Sequence, residues 1–201
     1  MFSKGKSNTA VVAIIVTILV IVFGLIFLGG GCYFVSRFLS ARDEQTATNE
    51  TKTKAGWATY NNDEWGFSVQ HPESFTKEVS ANNDGATFTS TSPDITLRAF
   101  AVLSTDNTTD QYLSGILSLA RESILYTSVT EISSQSANLG NITGSKKVWK
   151  YVKRGGKSEA EVRLAAINNG KMYNLSMTCD YSIYPAYMSL FEDMAATFKV
   201  N

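Results

Sequence analysis

The sequence predicts an α+β domain, a central antiparallel β-sheet with two helices packed on it, preceded by one N-terminal transmembrane helix. Three observations lead there. An uncharged apolar run covers Ala10 to Leu28. Two tight-turn signatures, Gly155-Gly156 and Asn168-Asn169-Gly170, separate segments of alternating polarity. Two further segments repeat apolar residues at three and four, which is helical spacing.

The apolar run is punctuated by Ala10, Ile15, Leu19, Phe23 and Leu28 and has Thr17 as its one weakly polar residue. A helix rises about 1.5 Å per residue, so the run matches the roughly 30 Å hydrocarbon core of a bilayer. It is longer than the apolar part of a cleaved signal peptide and no Ala-x-Ala site follows it, so the reading is a retained anchor. Residues 1–9 form a short basic tail with Lys4 and Lys6, expected in the cytoplasm. Residues 10–39 hold the span and an interfacial stretch with Tyr33, Phe34, Arg37 and Phe38. Cys32 follows three glycines, as the lipid-modified Cys of a lipoprotein signal follows a small residue, but Gly29 stands where such a signal carries Leu. Lipidation of Cys32 is therefore the alternative to a glycine break at the bilayer edge. Residues 40–56 are polar and threonine-rich and read as a flexible linker.

Residues 57–201, about 145 in all, suffice for one domain with a real core. Asn61-Asn62-Asp63 is a turn. Gly66 to His71 alternates as a half-buried strand that ends at Pro72, Thr76 to Ser80 makes a short strand, and Asn82-Asn83-Asp84-Gly85 turns into Ala86 to Thr91. Ile95, Leu97, Ala99, Ala101 and Leu103 line one face of a longer strand. Helical spacing then takes over in Leu113, Ile116, Leu117, Ala120, Ile124 and Leu125, with Asp110 as N-cap and an end near Tyr126. A meander follows: Leu139 to Lys153, then Ala160, Val162, Leu164 and Ala166, then Tyr173, Leu175 and Met177. Pro185 opens a last helix with Leu190, Phe191, Met194, Ala195 and Phe198 as its apolar stripe.

Composition narrows the function classes. The chain has 18 basic and 18 acidic residues, so the basic excess of a nucleic-acid binder is missing. The two cysteines, Cys32 and Cys179, show no metal-ligand spacing. One histidine, His71, would have to serve any Ser-His or Cys-His catalyst, and its place beside Pro72 at a strand end favours packing over catalysis. An envelope hydrolase using His71 is the enzymatic alternative. Asp63, Glu64 and Asp84 lack calcium-loop spacing. No cofactor motif is present. Lys146, Lys147, Lys150, Lys153, Arg154 and Lys157 fall on one hairpin, either as a lysine-protected edge or as a patch that docks an anionic partner.

Tyr60-Asn61, Gly66-Phe67-Ser68-Val69, Pro72 and Phe75 resemble the opening signature of PsbP-like domains, a family that includes the extrinsic protein of the photosynthetic oxygen-evolving complex and bacterial membrane-tethered relatives. Tyr187, Phe191 and Phe198 resemble the aromatics of the family's C-terminal helix. The resemblance implies an α/β/α sandwich, a packing role for position 71, and a binding or assembly function without catalysis. The expectation is an extracytoplasmic domain, on a single-pass anchor in the cell membrane, that binds a protein partner and no nucleic acid.

Overall fold

The structure, a computed structural model, describes residues 53–106 and 108–201. The apolar run, Cys32 and most of the linker lie outside them. Among the described residues, no helix is long and apolar enough to cross a membrane.

The strands are β1 (Trp57–Asn62), β2 (Phe67–Pro72), β3 (Thr76–Val79), β4 (Gly85–Thr91), β5 (Asp94–Leu103), β6 (Tyr126–Leu139), β7 (Ile142–Lys153), β8 (Ser158–Asn168), β9 (Lys171–Asp180) and β10 (Lys199–Val200). Helix α1 (Thr109–Glu122) lies between β5 and β6, and α2 (Met188–Thr197) precedes β10. Seven strands form one antiparallel sheet in the order β3-β4-β5-β9-β8-β7-β6, and β1-β2-β10 form a second, small one. The hairpin signatures are where sequence placed them. Asn169 and Gly170 sit at φ 50° and 74° and reverse β8 into β9, the left-handed pair that a two-residue turn needs. Gly155 and Gly156, at φ 102° and 87°, turn β7 into β8.

Alternation gives the large sheet two apolar faces. Phe88, Leu97, Val162, Leu164, Leu175 and Met177 meet Phe67 and Val69 of the small sheet and Phe191, Met194 and Phe198 from the C-terminal helix and its cap. On the opposite face, Trp149, Tyr151, Ala165 and Met172 meet Leu113 and Leu117 of α1. One helix therefore packs on each face of the sheet.

Several elements differ from expectation. The N-cap of α1 is Thr108, whose Oγ1 accepts from the Gln111 N–H at 3.2 Å; Asp110 lies in the first turn, where it suits the helix dipole. The helix stops at Glu122, and Ser123 is already extended. Ile124 and Leu125 therefore fall beyond it, because the chain must enter β6 with the Tyr126 ring tilted against Tyr151 at 4.8 Å. Leu103 is at the frayed end of β5 and is exposed rather than buried. Thr76–Val79 is a strand, but all four residues are exposed. Pro185 opens a single 3-10 turn, Tyr184–Tyr187, from which α2 continues. Strands β1, β6 and β10 have no counterpart among the expected elements.

Candidate functional site

The residues that carry the resemblance lie mostly in or against the core, with Asn61 exposed. Phe67 is fully buried, its ring stacked on Phe198 at 5.1 Å and edge-on to Tyr60 at 5.9 Å. Gly66, at φ 68°, accepts from the Asn201 N–H through its carbonyl at 2.9 Å, so the turn after Asn61 and Asn62 holds the C-terminus. Pro72 is the last residue of β2, and Phe75 packs partly buried against the core.

His71 is buried, with its ring over Phe88 at 4.2 Å and Nδ1 3.0 Å from the Pro72 carbonyl oxygen, to which a protonated Nδ1 donates. These contacts pack the ring between Phe88 and the Pro72 carbonyl. Burial, with Lys77 as a lesser contributor, pulls its pKa below the ordinary value of 6.5, against the opposing Pro72 carbonyl and Glu73. The neutral ring is thus favoured in the fold, and the unfolded chain takes up the proton first as pH falls. Stability is expected to be flat above about pH 7 and to decline as pH falls below about 6.5. His71→Phe should remove the part of this slope between pH 6.5 and 5, measured by urea denaturation at each pH; an unchanged slope would refute the assignment.

The six basic residues do not gather into one patch. Neighbours on a strand point to opposite faces, and Lys146 and Lys147 do so in β7. Lys146 is buried on the α2 side and donates to Glu192 Oε1 at 2.8 Å. Lys147 is buried on the α1 side, 3.5 Å from Asp110 of α1 and from Glu131 of β6. Lys153 and Lys157 share Glu159, at 2.6 and 3.5 Å, and Lys150 lies over the Tyr181 ring at 4.4 Å. Arg154 is exposed at the hairpin turn, where its N–H donates to the Leu125 carbonyl at 3.2 Å. Ion pairing inside the domain thus uses five of the six cations or covers them with an aromatic ring. Cys179 is buried, and burial with nearby Asp180 pushes its thiol up to about 11. Among the described residues, no three His, Cys, Asp or Glu side chains are grouped to hold a metal.

What the structure does bring together is a corner made by the end of α1, the turn after it, and β6. Leu119, Ile124 and Leu125 are 71%, 76% and 62% exposed within seven residues of chain. Beside them runs β6, 14 residues long, at the end of the seven-stranded sheet. Among the described residues no strand pairs with its outer edge, and nearly every residue from Thr127 to Ser136 is exposed. The floor of this corner is polar. Under α1, Tyr151 Oη donates to Glu161 Oε2 and Arg163 Nε to Glu161 Oε1, both at 2.8 Å. Burial first and then the Glu161 carboxylate raise the Tyr151 pKa well above its usual value. Burial opposes the Arg163 charge, and Glu161 more than offsets it. This polar network links β7 and β8 beneath α1.

No family model and no curated protein matches the sequence. Solved structures do match the fold. The solution structure of cyanobacterial PsbP (CyanoP) from Synechocystis superposes with a TM-score of 0.60 at 12% identity, covering 77% of this chain and 98% of that one. The Ran-binding protein Mog1p of Saccharomyces cerevisiae superposes with a TM-score of 0.52 at 8% identity, covering 72% of this chain and 95% of that one. The antiparallel sheet, the two helices and these superpositions agree with the residues around Tyr60, Gly66 and Pro72: the described part of the chain has the PsbP-like fold.

Proposed function

We propose that this chain is a membrane-tethered, non-catalytic binding protein, with residues 10–28 crossing the bilayer, the tail of residues 1–9 in the cytoplasm, and the domain of residues 57–201 outside, where it captures a protein partner as an accessory or assembly factor. The observation that carries the binding reading is the corner of Leu119, Ile124 and Leu125 beside an open strand edge. Grouped exposed apolar side chains mark protein-binding sites, because leaving them in water costs free energy that a partner recovers. Mog1p, described as Ran-binding, shares the fold, which supports protein recognition as a use for it. The anchor is supported by the length and neutrality of the apolar run alone.

One experiment tests both parts. In a Cys32→Ser chain, Leu125→Cys is labelled in intact cells with a membrane-impermeant maleimide that carries a photo-crosslinker. Labelling is expected, followed on illumination by a discrete protein adduct. No labelling until the membrane is broken would overturn the outward placement. Labelling with no adduct would overturn the partner at this corner.

A further inference from the structure

We infer that the outer edge of β6 is a pairing edge for the same strand of a second copy of this chain, joining two seven-stranded sheets into one. This rests on the protein-binding reading only in using the same side of the domain; its partner and its test are separate.

An uncapped strand presents unpaired N–H and C=O groups and invites another strand, so proteins usually blunt an edge with short length, charge or proline. The other edge of this sheet is blunted in two of these ways. It is β3, four residues long, of which Lys77 and Glu78 are charged. The β6 edge has neither short length nor proline, and its two register shifts against β7 fall before Ser133. It runs 14 residues and contains no lysine or proline, and Glu131 is its one charged residue. That carboxylate is already engaged by Lys147 of the neighbouring strand at 3.5 Å.

The inner half of β6 is shaped for pairing. The register on β7 shifts between Tyr126 and Ser128 and again between Glu131 and Ser133. From Ser133 to Leu139 it is regular, each residue opposite one of Ile142 to Val148. This run, Ser-Ser-Gln-Ser-Ala-Asn-Leu, has no charge. Two copies related by a two-fold axis at Ser136 would place Gln135 opposite Ala137, Ser134 opposite Asn138, and Ser136 opposite itself. No like charges meet in that register, and small polar side chains face each other across it. Self-pairing is the arrangement that a neutral antiparallel edge satisfies with its own sequence, since a two-fold interface puts the same patch on both sides. The exposure of Ser133 to Ser136 on both faces leaves the approach of a second sheet unobstructed.

The two-fold register predicts a symmetric crosslink. Opposed residues in an antiparallel pair have Cα atoms about 4.5–5.5 Å apart, which suits a disulfide. In the Cys32→Ser chain, Ser136→Cys is expected to oxidise to a covalent dimer, while Thr76→Cys on β3 stays monomeric. Adding Gln135→Lys, which puts the two cations on neighbouring diagonal positions across the axis, should abolish the Ser136→Cys dimer without changing the circular dichroism spectrum. A Ser136→Cys chain that stays monomeric with a native spectrum would overturn the proposal. So would a disulfide to a different protein, which would leave the binding reading standing, and so would equal dimer from both cysteines, which would mark collision without register.

Discussion

Replacing Phe67 by Ala is expected to lower the stability of the domain by about 3–5 kcal/mol, the range for deleting a buried aromatic ring. The upper part of that range applies here because of where the ring sits. Phe67 is on the central strand of the small sheet, fully buried. Its ring lies flat on Phe198 at 5.1 Å and meets Tyr60 and Tyr173 edge-on at 5.9 and 6.1 Å. Those three partners belong to β1, to β9 of the large sheet, and to the cap of α2, so the ring joins three layers at one point. None of them can collapse into the space without leaving another contact. The cost therefore includes the cavity as well as the lost transfer energy. Domains of this size hold about 5–15 kcal/mol in total, so the variant should lose a large share of it. Urea denaturation should show a much lower midpoint with an unchanged slope. Phe67→Leu, which keeps most of the volume, should cost about 1 kcal/mol. A loss below about 1 kcal/mol for Phe67→Ala would mean that the layers are not joined there.

The same residue shows what was legible beforehand. Phe67 and Val69 alternate with Ser68 and Gln70, and that pattern alone fixes a strand with one buried face. The β7-β8-β9 meander was legible for the same reason, with Asn169-Gly170 and Gly155-Gly156 marking its turns. Strand β6 was not, because a strand exposed on both faces has no apolar period to read. Its available signal was propensity, in Thr127, Val129, Thr130 and Ile132, standing between a helical stretch and Leu139. Ile124 and Leu125 misled in the opposite sense. Their spacing continues the α1 stripe, and only the need to bring Tyr126 onto Tyr151 ends the helix before them. The candidate corner consists of these two failures together, so sequence patterning could not have drawn it. Parity divides the basic hairpin: neighbours on β7 point to opposite faces, so α2 covers Lys146 and α1 covers Lys147.

Gly140→Ala is the second large effect, expected to cost about 2–4 kcal/mol from overpacking and left-handed strain combined. Gly140 links β6 to β7 at φ 61°, and its N–H donates to the Ala195 carbonyl of α2 at 2.7 Å. A Cβ there would stand 1.9 Å from the Phe198 carbonyl oxygen and 2.9 Å from its carbon. Those are backbone atoms and cannot rotate away, so the turn must leave the end of α2 and break the Ala195 bond. Gly155→Ala is the control. It also has positive φ, at 102°, but nothing lies within 4 Å of its Cβ, so it should carry the backbone strain alone, about 1 kcal/mol. Equal losses for the two variants would show that the turn does not bear on α2. The two predictions also meet at Phe198, whose ring stacks on Phe67 and whose carbonyl blocks Gly140. With the Phe67 ring removed, Phe198 gains room to move off the new methyl group. The double variant Phe67→Ala/Gly140→Ala should therefore lose less than the sum of the single variants, by about 0.5–3 kcal/mol. Strict additivity would mean that the Phe198 backbone stays fixed when its ring is freed, and that the α2 cap is held by the Gly66–Asn201 bond rather than by the aromatic stack.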